Sequence, residues 1–418
     1  MKSWKDIKEG EDYEILRSSC NNPTAQIWMG VYNHSKYLCQ AIDSILQQRT
    51  EYQYEVFIVD DFSTDDSWKI IKDYYERFSD RITVFRWNYN TYGSELQEAS
   101  GRLFINAKYV AFLEGDDYWT DMNKIQKQVS FLDNHPEYIG ITGNVRNVNE
   151  DGTKQHRDSE LYCYMQTHVV GRENVLNRER LSHISALMCR NIWSNWTDAE
   201  YRDFVNCSMN GDIKYIGTVA MEGNVLYSSD IYGDHRRVFT GESWTAVSHR
   251  KDMKAEIQKM WEDFSGFLVK KYGSELNPRR YLDNNELKKE LIKQKNIVRL
   301  YDMWMAATER GRSISKLLMK KGIQTVVIYG MSMLGGRLYH ELKSCGQIDV
   351  MYGFEQNERI NVPGLKLYRS IDGATIKPDV VIVTALTTYD DIYRALKEQG
   401  YKKIMSIDEL LYEMYQEA

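Results

Sequence analysis

The chain has 418 residues, 42% hydrophobic and 27% charged, with only 5 prolines; it is long enough for two or three cores and excludes long disordered linkers. A formal charge of −6 leaves no electrostatic footprint for nucleic acid, so no such partner is expected. No apolar run approaches the roughly 18 residues that a membrane-spanning helix needs. Met1–Asp6 lack the apolar stretch of a signal peptide, and the 6 cysteines are scattered without a C-x-x-C pair. These features point to a cytoplasmic protein with reduced, mostly buried thiols.

After a polar leader over 1–23, Gln26–Val31 reads as a strand ending in Tyr32-Asn33-His34. Leu38, Ile42, Ile45 and Leu46 then recur at helical spacing, with Ser35 as N-cap. Tyr54–Val59 is a second strand, closed by Asp60-Asp61-Phe62-Ser63-Thr64-Asp65-Asp66, and a helix through Trp68, Ile70, Ile71 and Tyr74 leads to a third, Ile82–Phe85. The Asn88–Gly93 loop and a short helix precede a fourth strand, Tyr109–Leu113, which runs into Glu114-Gly115-Asp116-Asp117-Tyr118-Trp119. This alternation predicts a mainly parallel sheet with right-handed crossovers. Polar groups at its strand ends then converge on one crevice. Glu114 and Asp116 alternate by two and can project from one side of the turn, which suits a divalent cation with oxygen ligands. A solvated acidic turn capping the next helix accounts for the same residues.

Val31-Tyr32-Asn33, Val59-Asp60-Asp61-Phe62-Ser63-Thr64-Asp65, Glu114-Gly115-Asp116-Asp117-Tyr118-Trp119 and the following Asp121–Leu132 stretch come in order. Together they resemble the consecutive motifs of family 2 glycosyltransferases of the E-G-D-D-Y-W form. The resemblance implies a GT-A fold and transfer of a sugar from a nucleotide diphosphate, such as a UDP-sugar, to an acceptor. It also implies donor contacts by Val31, Tyr32, Asn33 and Gly115, Asp61 at the base, Asp60 near the ribose, and Glu114 and Asp116 holding Mn²⁺ or Mg²⁺ against the diphosphate. Asp60 as a helix cap is the plainer alternative. Asp117 and Trp119, beyond the acidic pair, are acceptor-side candidates.

From about Gly140 the regular alternation fades, as expected of an acceptor-binding half. Leu181–Arg190 reads as a strand resembling the family's segment that lines the active site. Its His183 is either a substrate contact or a satisfied structural histidine. Asn210-Gly211-Asp212 opens a helix and resembles the family element whose aspartate is the catalytic base; Asp212 as N-cap is the alternative. Arg236-Arg237-Val238-Phe239-Thr240-Gly241-Glu242-Ser243-Trp244 resembles the loop that closes over the diphosphate, with Arg237 and Trp244 in its arginine and tryptophan positions. The family's histidine falls on Phe239, or is displaced to His235.

Helical patterns dominate 248–321, and within it 287–321 carries ten basic against three acidic residues. That excess suits a solvated helix pair joining two domains, or a face peripheral to the anionic inner surface of a membrane that holds a lipid-linked acceptor. From Thr325 a strand, the turn Gly330-Met331-Ser332-Met333-Leu334-Gly335, a helix and a strand ending at Glu355 suggest a Rossmann-like domain over 322–418. Ser332 stands where the second glycine of a dinucleotide fingerprint belongs, so packing or homo-oligomerisation competes with nucleotide binding there. The whole is α/β: a leader, a GT-A mixed-sheet domain over 24–247, a helical linker over 248–321 and the Rossmann-like domain. The expected activity is an inverting, metal-dependent glycosyltransferase acting on a glycan or lipid-linked hydroxyl in surface polysaccharide synthesis. An inactive GT-A scaffold, or sugar-nucleotide binding confined to 322–418, are the competing readings.

Overall fold

The computed structural model describes residues 5–92, 94, 96, 98–153, 167–176, 178, 181–238, 253–273, 297, 298, 300–374 and 376–416. Those up to 273 form one compact unit and those from 297 onward another.

The first unit is a ten-stranded mixed sheet. Its strands are β1 (Tyr13–Leu16), β2 (Ala25–Val31), β3 (Tyr54–Asp60), β4 (Ile82–Trp87), β5 (Tyr109–Glu114), β6 (Tyr118–Trp119), β7 (Tyr138–Val148), β8 (His168–Val170), β9 (Met188–Arg190) and β10 (Asn224–Arg236). The order is β1-β4-β3-β2-β5-β9-β7-β10-β6, with β8 also on β10. β4, β3, β2 and β5 run parallel. They read as near-continuous apolar runs because helices cover both faces of such strands. Helices α1 (Leu38–Leu46), α2 (Ser67–Arg77), α3 (Ala99–Phe104) and α4 (Lys124–Asn134) make the crossovers. The chain leaves β2 towards β3 and β4, then returns to the other side of β2 as β5. That reversal is the switch point at which open α/β sheets place their ligand crevice.

Four expectations change. β1 falls inside the expected leader and pairs antiparallel with β4, because Tyr13 and Ile15 pack with Phe85 and Trp87 over the outer core. Ser35 does not cap α1: the N-cap is Tyr37, and the Ser35 amide donates to Asp65 instead. Leu181–Arg190 is a short 3-10 turn, Ile184–Ala186, before the three-residue β9. Far from fading after Gly140, the sheet continues into the eleven-residue β7 and thirteen-residue β10. Helices α5 (Arg172–Leu176), α6 (Asp198–Val205), α7 (Gly211–Glu222) and α8 (Lys254–Tyr272) complete this unit.

The second unit starts with helical residues 300–309 and α9 (Ile314–Lys320). β11 (Thr325–Tyr329), α10 (Met333–Cys345), β12 (Asp349–Phe354), β13 (Leu367–Tyr368), β14 (Val380–Val383), α11 (Tyr389–Glu398), β15 (Ile404–Ser406) and α12 (Ile407–Gln416) follow. The sheet is parallel in the order β13-β12-β11-β14-β15, with an apolar core on each face. Gly330 has φ +90°, and a side chain on Gly335 would collide with the Gly330 carbonyl, so helix and strand meet closely at the turn. Glu355 is committed internally: its carboxylate accepts from the Met331 amide at 2.7 Å and the Asn357 amide at 2.9 Å. The linker expected over 248–321 is only partly within the described residues. There α8 packs Phe267 on Trp196 and Phe204 in the first unit, whereas Leu300, Met303, Trp304 and Ala307 join the core of the second. No helix among the described residues is long and apolar enough to cross a membrane.

Candidate active site

The C-terminal mouth of β5 gathers the acidic turn. Glu114 pairs across to Gly30 of β2, and the Gly115 amide donates to the Gly30 carbonyl at 3.0 Å, so the turn lies directly over the switch point. The Glu114 side chain is exposed and Asp116 partly so. Neither carboxylate has a hydrogen bond or ion pair within the described residues, leaving both open to a ligand. Although water reaches it, the Glu114 carboxyl sits deep among protein atoms of the concave mouth; this partial desolvation, then the charges of Asp116, Asp212 and Asp117, hold it well above its usual range.

Asp117 faces the other way. It is 1% exposed and takes the Arg236 amide at 2.8 Å and His235 Nδ1 at 3.2 Å. His183 Nδ1 lies 3.9 Å from Asp117, and its Nε2 lies 3.8 Å from Asp212. The two imidazoles are 4.3 Å apart. Two strands make this meeting possible. β6 pairs antiparallel with β10 at Gly233 and Asp234, which carries His235 onto the acidic turn. A Cβ at Gly233 would lie 2.8 Å from the Tyr118 carbonyl, so only glycine permits that approach. Burial lowers the His235 pKa, but Asp117, then Asp116 and Asp212, overcome it and raise it to about 9. Reciprocally, burial raises Asp117 but His235 and His183 bring it below the usual range.

Asp212 joins the same cluster. The N-cap of α7 is Asn210, whose side chain accepts from the Ile213 amide, so Asp212 is not the cap. Its Oδ1 accepts from the Ile184 amide at 3.0 Å, and the side chain stays 31% exposed. Trp119 and Asp117, the acceptor-side candidates, both turn inward. Trp119 is 4% exposed, donates Nε1–H to the Ser185 carbonyl at 2.8 Å and packs on the buried Lys124, because pairing of β6 turns it inward. Both form the floor of the site.

On the donor side, Asn33 adopts φ +56° and its Oδ1 accepts from the Thr64 and Asp65 amides at 2.8 and 3.3 Å, pinning the end of β2 to the loop after β3. Val31 is buried and its carbonyl accepts from the Asp61 amide. Asp60 is fully buried and paired with Arg86 at 3.2 Å, with Arg86 stacked on Trp68. In this position it braces β3 against β4 at the strand end where the ribose contact was expected. Burial raises the Asp61 pKa; its Oδ1 accepts from Thr91 N and Oγ1 at 2.7 Å each. Tyr32 and Phe62 stay exposed beside it.

Arg237 donates its amide to Val148. The arginine built into the mouth is Arg236, which sequence reasoning passed over. Its guanidinium donates to Gln40 at 2.6 Å and to the Asp116 carbonyl at 3.4 Å, between the Tyr37 and Tyr118 rings. Trp244 and Phe239 lie outside the described residues. Within them, the histidine that this segment sets against the acidic turn is His235, and its place one residue before the Arg-Arg pair was the available signal.

Asp117, His183 and His235 bring their ligand atoms within 4.8 Å of one another, the one such metal-capable cluster among the described residues. An Asp/His/His set with two open carboxylates at its rim fits a divalent transition ion, since imidazole favours such ions over magnesium.

Residues 27–190 match the family model described as Glycosyl transferase family 2. An uncharacterised protein of Mycobacterium bovis is 40% identical over 132 residues, 31% of this chain and 36% of that one. The UDP-Glc:alpha-D-GlcNAc-diphosphoundecaprenol beta-1,3-glucosyltransferase WfaP of Escherichia coli is 32% identical over 116 residues, 28% of this chain and 44% of that one. The matched segments thus span well under half of each relative's length. In three dimensions, the mannosyltransferase PcManGT of Pyrobaculum calidifontis, solved with GDP-Man and Mn²⁺, aligns over 76% of this chain and 84% of its own at 14% identity and a TM-score of 0.43.

Proposed function

We propose that the chain is an inverting, metal-dependent glycosyltransferase that moves a sugar from a nucleotide-diphosphate donor to a hydroxyl of a glycan or lipid-linked acceptor. One observation carries this reading: Glu114, Asp116, Asp117, His183, Asp212 and His235, from four separate stretches of chain, meet at the switch-point mouth of the sheet. The similarity to WfaP, which takes UDP-Glc and a diphosphoundecaprenol-linked acceptor, supports a UDP-sugar and a lipid-linked acceptor in surface polysaccharide synthesis.

Asp117, His183 and His235, with Glu114 and Asp116 at the rim, would hold Mn²⁺. When bound, the ion neutralises charge developing on the leaving diphosphate. The chain's own residues do the rest. Arg236 fixes the backbone of the acidic turn from below. The Ile184 amide orients Asp212 through Oδ1, leaving Oδ2 as the acceptor for a proton. As the acceptor oxygen bonds to the anomeric carbon, its proton passes to Asp212 and the carbon–oxygen bond to phosphate breaks, its electron pair leaving with the nucleoside diphosphate. Attack opposite the leaving group inverts the centre.

Thermal-shift screening against nucleotide sugars with and without Mn²⁺, followed by a transfer assay with the stabilising donor, tests the proposal. Asp212→Asn should lower kcat by about 10²–10⁴-fold, the usual contribution of a general base, while donor affinity stays within twofold. A wild-type chain stabilised by no nucleotide, or an Asp212→Asn variant with normal kcat, would overturn it.

A further inference from the structure

We propose that His34 is a donor-binding residue whose imidazole hydrogen-bonds a phosphate oxygen of the nucleotide. The inference rests on the donor reading above.

The carboxamide of Asn33 and its left-handed backbone aim the next residue across the sheet. His34 is then held at both backbone ends: its amide donates to Ser67 Oγ at 2.9 Å, and its carbonyl accepts from the Tyr37 and Leu38 amides at 2.9 and 3.0 Å. The ring comes down on the acidic turn. A Cβ on Gly115 would lie 2.7 Å from His34 Nδ1, so the glycine between Glu114 and Asp116 is the gap the imidazole fills.

Nδ1 is sealed from solvent without a hydrogen-bond partner. A buried unpaired N–H is costlier and rarer than a buried unpaired acceptor. Nδ1 therefore carries the lone pair, facing the Gly115 Cα–H, and the proton sits on Nε2. Nε2 has no partner among the described residues and is not sealed, so its N–H is open to a ligand on the ring that covers Gly115. A ligand atom accepting from it stands beside Gly115 and within reach of anything bound by the flanking Glu114 and Asp116 carboxylates. Oxygens that a divalent cation and carboxylates hold together with a donor N–H are, in a bound nucleotide sugar, those of the group whose negative charge the cation offsets. In a nucleotide sugar that group is the diphosphate. The sequence motif Glu-Gly-Asp-Asp then has a physical reason for its glycine that concerns a residue about eighty positions earlier.

The test uses the full-length chain with Mn²⁺ and whichever of UDP, GDP, dTDP, CDP or ADP stabilises it most, beside the matching nucleoside. His34→Ala should weaken the diphosphate about tenfold or more, from the loss of a hydrogen bond to a charged group, and leave the nucleoside unchanged. His34→Gln, which keeps an N–H near the Nε2 position, should recover part of the loss. Gly115→Ala, which displaces the ring without removing it, should reproduce the His34→Ala defect. Equal diphosphate affinity in wild type and His34→Ala, or parallel losses for diphosphate and nucleoside, would overturn the role of His34 alone. A wild-type chain that binds none of the five diphosphates would remove the donor reading, and this inference with it.

Discussion

Asp116 and Asp117 are neighbours with opposite surroundings, and the difference assigns them different work. Asp116 has a carboxylate free of hydrogen bonds among the described residues, while Asp117 is buried against two histidines. Asp116→Asn should cut transfer at least about 100-fold with the melting temperature nearly unchanged, since it removes charge from an open position; melting curves beside turnover check both halves. The Asp117–His235 pair makes a pH prediction for the metal-free protein. His235, faced by Asp117, Asp116, Asp212 and His183, titrates at about 9 in the fold against 6.5 when free. Its contribution to stability is complete below about pH 6.5 and is lost as pH rises through about 9. Urea unfolding should show wild type weakening over that window and His235→Asn flat. Because the ion competes with the same proton, Mn²⁺ affinity should climb over the same range. The sequence showed these carboxylates but not their division, because burial is set by strands more than a hundred residues away. His183 and His235 are separated along the chain and meet only through β9 and β10.

At the scale of elements, the site depends on the two-residue β6 closing onto β10. Gly233→Ala would push a methyl against the Tyr118 carbonyl. It should destabilise the first unit by about 1–3 kcal/mol, the usual cost of overpacking, and weaken Mn²⁺ binding, as His235 withdraws from Asp117. Calorimetric titration separates the two effects. Gly143 has a similar constraint, its Cβ position lying 2.6 Å from the Tyr232 ring. The parallel strands were legible because their apolar runs are continuous and bounded by acidic turns. β1 and β6 were not: each is four residues or fewer, too short to show a period, and exists because a neighbouring strand offers unpaired edges, while of the strand expected over Leu181–Arg190 only the last three residues, β9, pair. Ser35 does not cap α1 because the helix begins only at Leu38, which puts the N-cap position on Tyr37, two residues further on.

At the scale of the molecule, the chain divides into two units with separate cores. Residues 285–418 expressed alone should unfold in a single cooperative transition, read by circular dichroism, because every strand of the second sheet and both of its apolar faces come from that segment. Loss of structure in the fragment would mean the division is only geometric. The sequence by itself determined the α/β class, the order of the first four crossover strands and the acidic turn, because these follow from local periodicity and from polar residues that end apolar runs. The tertiary structure alone decided that Asp60, Asp117 and Trp119 lie beneath the site, that Arg236 is built into the mouth, and that His34 fills the space over Gly115. Those choices depend on sheet order and close approach between distant segments, and no local pattern carries that information.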